Sequence, residues 1–332
     1  MTKAGRLREL FNRPGIIRIV GAHNGLTAML VEEAGFEGIW ASSLEVSSSH
    51  LVPDANILTM RDYLNTAIEM NDAVSVPVIV DVDQGYGNCN NVARMVRKFE
   101  AAGIAGVVME DNPFPKQNSL LERKRELVSI EEFVGKIIAG KRAQQTRDFM
   151  LFARVEALIA GYGIREALRR ARAYVKAGAD GILIHSKRKD PSEVIEFVDA
   201  WNEKVPLVIV PTKYPSLTEA RVKTFPKIKM VIYANHVIRT VVGAVRQTLR
   251  EMSETGGIET ISPKLVTVNQ LFDLQGTFKM TREEELILSK AEEIVRGIDA
   301  EHGQPPVLHS YIAGTDLAVG AKAQTPRVLF DG

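Results

Sequence analysis

The chain alternates short apolar runs with longer amphipathic segments. The runs are residues 16–22 (IIRIVGA), 38–42 (GIWAS), 77–83, 106–111, 149–156, 181–186, 206–211 and 229–235. Each is rich in Val and Ile and reads as continuously apolar rather than alternating, the pattern of a strand covered on both faces. Between them lie segments with helical spacing, such as GLTAMLVEEAG, NVARMVRKFEAAG and GIREALRRARAYVKAGA. Several end in Gly, which suits a helix C-terminus. Eight strands separated by helices predict an α/β fold, the (β/α)8 TIM barrel. A doubly wound open sheet is the competing arrangement.

Three further helical segments follow residue 235, at about 237–253, 265–275 and 281–298. They exceed what eight repeats need and are expected to pack outside the barrel or on another subunit. Residues 112–148 carry no clear strand, and their first part (112–126) holds two prolines and many charges. A loop of that length in a compact domain is commonly functional, so a lid over the C-terminal mouth is predicted at about 112–128. The expected organisation is a barrel with C-terminal helices over 1–298 and an irregular tail over 299–332, rich in Gly, Ala, Pro and Thr.

Composition narrows the function classes. The 332 residues carry 42 Lys plus Arg against 41 Asp plus Glu, a formal charge of +1. That balance argues against a nucleic-acid partner and leaves a small anionic substrate open, since a few placed cations suffice for one. The single cysteine, Cys89, cannot build a disulfide framework or a Cys-rich zinc site. It is read as structural. The N-terminus has no apolar run of a secretory signal, and no stretch of 18 apolar residues exists. A cytoplasmic protein with no membrane partner is expected.

In a barrel, chemistry sits at the C-terminal strand ends. Those ends read Trp40, Ser42 and Ser43; Asp81 and Asp83; Glu110 and Asp111; Arg154 and Glu156; His185 and Ser186; Thr212; and Asn235. Period-two alternation puts Asp81 and Asp83 on one side of a strand, and Glu110 ends the next. Hard oxygen donors clustered this way suit Mg²⁺ or Mn²⁺, with one direct carboxylate and the others holding bound water. Strand-end carboxylates also cap helices or pair with Lys. Arg154 matches carboxylate or phosphoryl oxygens, or pairs with Glu156. His185 is an acid, an anion donor or a satisfied strand-end histidine. The backbone at Ser42-Ser43-Leu44 can form an anion nest. The run 121–126 reads as a solvated loop face. No G-x-S-x-G, G-x-G-x-x-G or P-loop motif is present.

These residues resemble the phosphoenolpyruvate mutase branch of the isocitrate lyase superfamily, over most of residues 5–290. The stretch Glu110-Asp-Asn-Pro-Phe-Pro-Lys-Gln-Asn118-Ser119 resembles the hallmark E-D-K-x-F-P-K-x-N-S. Ile39-Trp40-Ala41-Ser42, Asp81-Val-Asp83-x-Gly-Tyr-Gly-Asn, Ala153-Arg154-Val-Glu-Ala and Val210-Pro-Thr-Lys-Tyr214 support it. The resemblance implies a barrel with a C-terminal helix exchanged between subunits of a homodimer or homotetramer. It implies Mg²⁺ and an α-keto acid bearing a phosphoryl group or second carboxylate. It casts Asp81 as the direct metal ligand, with Asp83 and Glu110 acting through water. Trp40, Ser42, Ser43 and Leu44 would line the pyruvoyl pocket, and Arg154, His185 and Asn118 would hold the phosphonyl oxygens. Asp54 would sit beside the transferring group, as phosphoryl acceptor or electrostatic positioner. Lys116, Asn118 and Ser119 would ride on the gating loop.

Within that branch the mutase moves a phosphoryl group between oxygen and carbon of pyruvate enolate, whereas phosphonopyruvate hydrolase passes it to water. The hydrolase branch typically carries Thr at the position of Asn118, so Asn118 favours the mutase. Val52–Ile57 and Leu158–Gly161 also resemble the hydrolase. A third alternative is a C–C lyase or condensing enzyme acting on an α-keto or hydroxy diacid, although the lid motif resembling K-K-C-G-H is absent. Asn112 stands where the hallmark has Lys, and Ser43 where Gly is common.

Overall fold

The computed structural model describes residues 1–119 and 125–302. Eight parallel strands pair in chain order and close on themselves: β1 (Ile17–Ala22), β2 (Gly38–Ala41), β3 (Val78–Asp81), β4 (Gly106–Glu110), β5 (Met150–Val155), β6 (Gly181–Ile184), β7 (Leu207–Ile209) and β8 (Ile228–Tyr233). The pairing of β1 with β8, Ile19 opposite Ile232, closes the barrel and excludes the open sheet. The helices are α1 (Lys3–Asn12), α2 (Gly25–Glu33), α3 (Ser43–Ser49), α4 (Met60–Ala73), α5 (Cys89–Ala101), α6 (Ile130–Ala143), α7 (Gly163–Lys176), α8 (Ser192–Ala200), α9 (Glu219–Val222), α10 (His236–Thr255), α11 (Val268–Leu274) and α12 (Thr277–His302).

Strand alternation divides the core in two. Ile19, Trp40, Ile79, Val108, Phe152 and Leu183 point inward and fill the barrel, closed from below by Leu7 and Leu10 of α1. Val20, Val80, Val107, Leu151 and Ile182 point outward against the helices. Both faces of every strand are therefore apolar, which explains the unbroken runs in the sequence. Each large apolar side chain buried this way contributes about 1.5–3 kcal/mol.

Alternation also selects the residues at the mouth. Two positions beyond each inward core residue lie Ser42, Asp81, Glu110, Arg154 and His185, so the barrel aims them at one point. In β1 that position is Gly21. A Cβ there would lie 1.8 Å from Glu45 Oε1. Glu45, fully buried, uses the vacated space to accept hydrogen bonds from the N–H groups of Asn235 (2.8 Å) and Ile238 (3.3 Å), tying α3 to the start of α10.

Two local readings are corrected. The strand expected over 77–83 stops at Asp81, because Asp83 has φ +47 and leaves the extended region. Asp81 and Asp83 are thus not alternate residues of one strand; a tight turn brings them together. The segment 43–49 is a helix that the sequence pattern does not announce. The Ser42 hydroxyl accepts from Glu45 N–H as its N-cap.

The chain falls into two compact units, residues 1–265 and residue 266 onward. In the first, α10 is long but buries only Ile238 among its 20 residues. Val241, Val242, Val245 and Leu249 stand 37–58% exposed on it. Leu26 and Leu30 of α2 are exposed too. In the second unit, α12 exposes Leu286, Ile287, Ile294 and Val295. Residues 120–124 of the expected lid and 303–332 of the expected tail lie outside the described residues. No helix among the described residues is long and apolar enough to cross a membrane.

Candidate active site

Trp40, Ser42, Leu44, Asp54, Asp81, Lys116, Asn118, Ser119, Arg154 and His185 line one cavity at the C-terminal mouth, together with Thr212 and Asn235. Ser43, Asp83 and Glu110 do not line it but touch residues that do. The structure thus gathers the sequence-derived candidates around one point. Cys89 lies apart, partly exposed at the first position of α5.

Arg154 is held from several sides. Its Nε donates to Glu156 Oε1 at 2.6 Å and lies 3.3 Å from Glu110 Oε2, while Nη2 donates to Ser119 Oγ at 2.9 Å. The pairing with Glu156 and the exposure to the cavity are therefore both real. Glu156 is itself anchored, since its N–H donates to Asp111 Oδ1 at 2.8 Å. Asp111 Oδ2 accepts from Arg170 Nη1 (3.1 Å) and Tyr174 Oη (2.7 Å) of α7. This buried chain runs from the outer helix layer to the guanidinium and fixes its direction before any anion arrives.

The lid residues reach into the mouth. Lys116 Nζ donates to Ser43 Oγ (2.6 Å) and Asp83 Oδ1 (2.6 Å) and lies 3.2 Å from Asp54 Oδ1. Asn118 Nδ2 donates to Asp54 Oδ2 at 2.6 Å. Asn56, which the sequence does not single out, clamps the lid: its Oδ1 accepts from Lys116 N–H (2.5 Å) and its Nδ2 donates to Asp83 Oδ2 (2.9 Å). Asn56 adopts φ +57, a conformation asparagine tolerates better than most residues, but nothing local in the sequence marks it. Arg125 corrects another expectation. It lies in the run read as a solvated face, yet it is buried and donates to the carbonyls of Gln117 (2.7 Å) and Asn118.

Charge at the site is out of balance. Five carboxylates (Asp54, Asp81, Asp83, Glu110, Glu156) face three cations (Lys116, Arg125, Arg154) among the described residues. With all five ionised the deficit is two positive charges; with Glu110 protonated, as its raised pKa favours near pH 7, it is one. Burial pushes the Glu110 carboxyl up to about 8 against the opposing pull of Arg154, and Asp83 up to about 6 against that of Lys116. Burial alone would lower the Lys116 ammonium, but the surrounding carboxylates hold it well above its ordinary value. Glu110 Oε2 is buried without a hydrogen bond. A divalent cation fits both the deficit and the hard oxygen donors. No three acidic, His or Cys side chains among the described residues converge as a direct ligand set. A largely hydrated ion held by one carboxylate, with others on its waters, matches that spacing.

His185 is driven the other way. Burial, reinforced by Arg154, lowers its pKa to about 4, so the ring is neutral near pH 7. Its Nδ1 has no hydrogen-bond partner. The unfolded chain protonates His185 below about pH 6.5 and the folded chain only near 4. Stability should therefore fall as pH drops through that window, by up to about 3 kcal/mol from this group. Glu110 and Asp83 contribute the opposite sign, so the comparison is with His185→Gln. Urea unfolding at pH 7 and pH 4.5 should show a smaller loss in the variant; equal losses would contradict the assignment.

Comparison with known proteins places the chain in a family. A family model described as phosphoenolpyruvate phosphomutase matches residues 7–253. The chain is 49% identical over 281 residues to a phosphonopyruvate hydrolase of Variovorax sp. (strain Pal2), covering 84% of this chain and 97% of the relative. It is 46% identical over 277 residues to a phosphoenolpyruvate phosphomutase of Tetrahymena pyriformis, covering 82% and 91% respectively. Among solved structures, a phosphonopyruvate hydrolase in complex with oxalate and Mg²⁺ matches with a TM-score of 0.82 at 48% identity, covering 86% of this chain and 99% of that one. The chain is therefore an enzyme of the phosphoenolpyruvate phosphomutase family, within the phosphoenolpyruvate mutase/isocitrate lyase superfamily.

Proposed function

We propose that this chain is a Mg²⁺-dependent phosphoenolpyruvate mutase, interconverting phosphoenolpyruvate and phosphonopyruvate at the P–C bond-forming entry to phosphonate biosynthesis. Asp81 would hold Mg²⁺ directly, with Asp83 and Glu110 on its waters, and Mn²⁺ would substitute. When bound, the ion supplies Lewis-acid stabilisation of charge on the pyruvoyl oxygens. The related hydrolase bound to oxalate and Mg²⁺ supports the same pairing here.

The chain's own residues supply the rest. The Ser43 and Leu44 N–H groups open α3, where helix geometry leaves donors without intrahelical partners, and they face the pyruvoyl carboxylate. Trp40 forms the apolar wall. Arg154, neutral His185 and Asn118 hold the phosphoryl oxygens. Transfer of a metaphosphate-like group needs positioning and fixed charge more than covalent help. Breaking the P–O bond leaves an enolate, and the phosphoryl group rejoins at carbon if water is kept out. Asp54 stands beside that group, oriented by Asn118. With Lys116 inserted, the cavity measures about 50 Å³, room for a few waters, so Lys116 and Asn118 would withdraw to admit substrate.

The observation that carries the mutase reading is Asn118. Its carboxamide sits in the cavity and donates to Asp54 at 2.6 Å. It is a neutral group whose amide is engaged with Asp54. Asn118→Thr is expected to lower mutase turnover at least tenfold, an effect in the range of one lost oxyanion donor, and to release more inorganic phosphate per turnover. An unchanged product ratio would remove Asn118 from this role. Phosphonopyruvate hydrolase is the second reading, favoured by the 49% identity to the Variovorax enzyme.

A homodimer or homotetramer with exchanged α10 is part of the proposal. The exposed valines of α10 and leucines of α2 are the faces it would cover. Mass photometry should find an oligomer that Val245→Glu with Leu249→Glu converts to monomer; a wild-type monomer would contradict it.

A further inference from the structure

Two buried side chains touch the carboxylates at the mouth from behind. Ser43, fully buried, donates from Oγ to Asp81 Oδ2 at 3.0 Å and accepts from Lys116 Nζ at 2.6 Å. An ammonium has no acceptor, so the hydroxyl's single hydrogen is committed to Asp81. Asp81 Oδ1 accepts from Asp83 N–H at 3.3 Å. Each Asp81 oxygen therefore has one protein donor, and the carboxylate plane is set. Asn112, buried, donates from Nδ2 to Glu110 Oε1 at 3.2 Å. That bond orients Glu110 without neutralising it. Asn112 also stands where the family hallmark has Lys, and Ser43 where Gly is common in the pocket.

We propose that the Ser43 hydroxyl and the Asn112 carboxamide are positioning groups that hold Asp81 and Glu110 for the divalent cation. The proposal rests on the metal reading above. Ser43 also joins Lys116 to Asp81, so the lid and the cation are coupled through one hydroxyl. A neutral amide at 112 places no positive charge beside Glu110. A cation at that position would compete with the ion for Glu110.

The test uses Mn²⁺ alone, without substrate, titrated into the metal-free full chain and followed by the EPR signal of the free ion. Loss of a partner behind a metal ligand costs 10–100-fold in affinity or activity. Ser43→Ala, behind the direct ligand Asp81, is expected to raise the Mn²⁺ Kd about tenfold or more; Asn112→Ala, behind a carboxylate on the ion's waters, by a smaller but measurable factor, and Asn112→Lys further than Asn112→Ala. A purely structural role would lower the melting temperature of the metal-free protein and leave the Kd alone. Should Ser43→Ala fail to fold, Ser43→Gly and the Asn112 pair carry the test. Folded variants with wild-type Kd would overturn the proposal. Asp81→Ala separates the two levels: if it binds Mn²⁺ like wild type, or if wild type binds none, the metal reading itself fails.

Discussion

Arg154→Gln is expected to lower kcat/KM by two to three orders of magnitude and to destabilise the folded chain. Arg154 is the cation of β5 that faces the cavity, and removing one preorganised donor to transition-state charge typically costs about 10²–10³. The structural penalty has a separate origin. The guanidinium sits between the buried carboxylates of Glu156 at 2.6 Å and Glu110 at 3.3 Å. Breaking a buried ion pair on one side costs about 3–5 kcal/mol, because a charge is left without compensation. Arg154→Lys restores charge but not the planar fork, so it should recover much of the stability and little of the rate. Steady-state kinetics and urea unfolding of both variants check this. A Lys variant with wild-type kcat/KM would show that geometry at this position is unimportant.

Asp81→Ala is expected to abolish both turnover and metal-dependent stabilisation. A ligand that binds only the folded state at 100 times its Kd stabilises by about 2.7 kcal/mol. For a domain near 250 residues, each kcal/mol moves the melting temperature by about 2–4 °C. Mg²⁺ with oxalate, an enolate mimic, should therefore raise the wild-type melting temperature by roughly 5–10 °C, and EDTA should reverse it. Asp81→Ala should show no shift. A shift that survives the substitution would place the cation elsewhere.

The barrel was legible because its physics is local and repeated. Strands covered on both faces, such as 106–110 and 150–155, announce themselves as apolar runs, and polar residues where those runs end mark the mouth. Strand alternation aims Asp81, Glu110, Arg154 and His185 at one point without further information. Asp83 lies beside Asp81 as expected, but the left-handed turn after β3, not the pleat, carries it there. Asn56 and Arg125 were not legible. Their partners lie on lid carbonyls, amides and carboxylates that only the closed loop brings near. Glu45 was equally hidden, since its meaning depends on the missing side chain of Gly21. The roles of Ser43 and Asn112 toward the carboxylates depend on 3.0 and 3.2 Å contacts that no spacing rule supplies.

In the proposed mutase reaction the phosphoryl group rejoins carbon or the enolate oxygen rather than water. The direct measurement is ³¹P NMR of the protein with Mg²⁺ and phosphonopyruvate. The expected result is a growing phosphoenolpyruvate signal at the expense of phosphonopyruvate. Inorganic phosphate appearing with pyruvate in its place, or an unchanged spectrum, would contradict it.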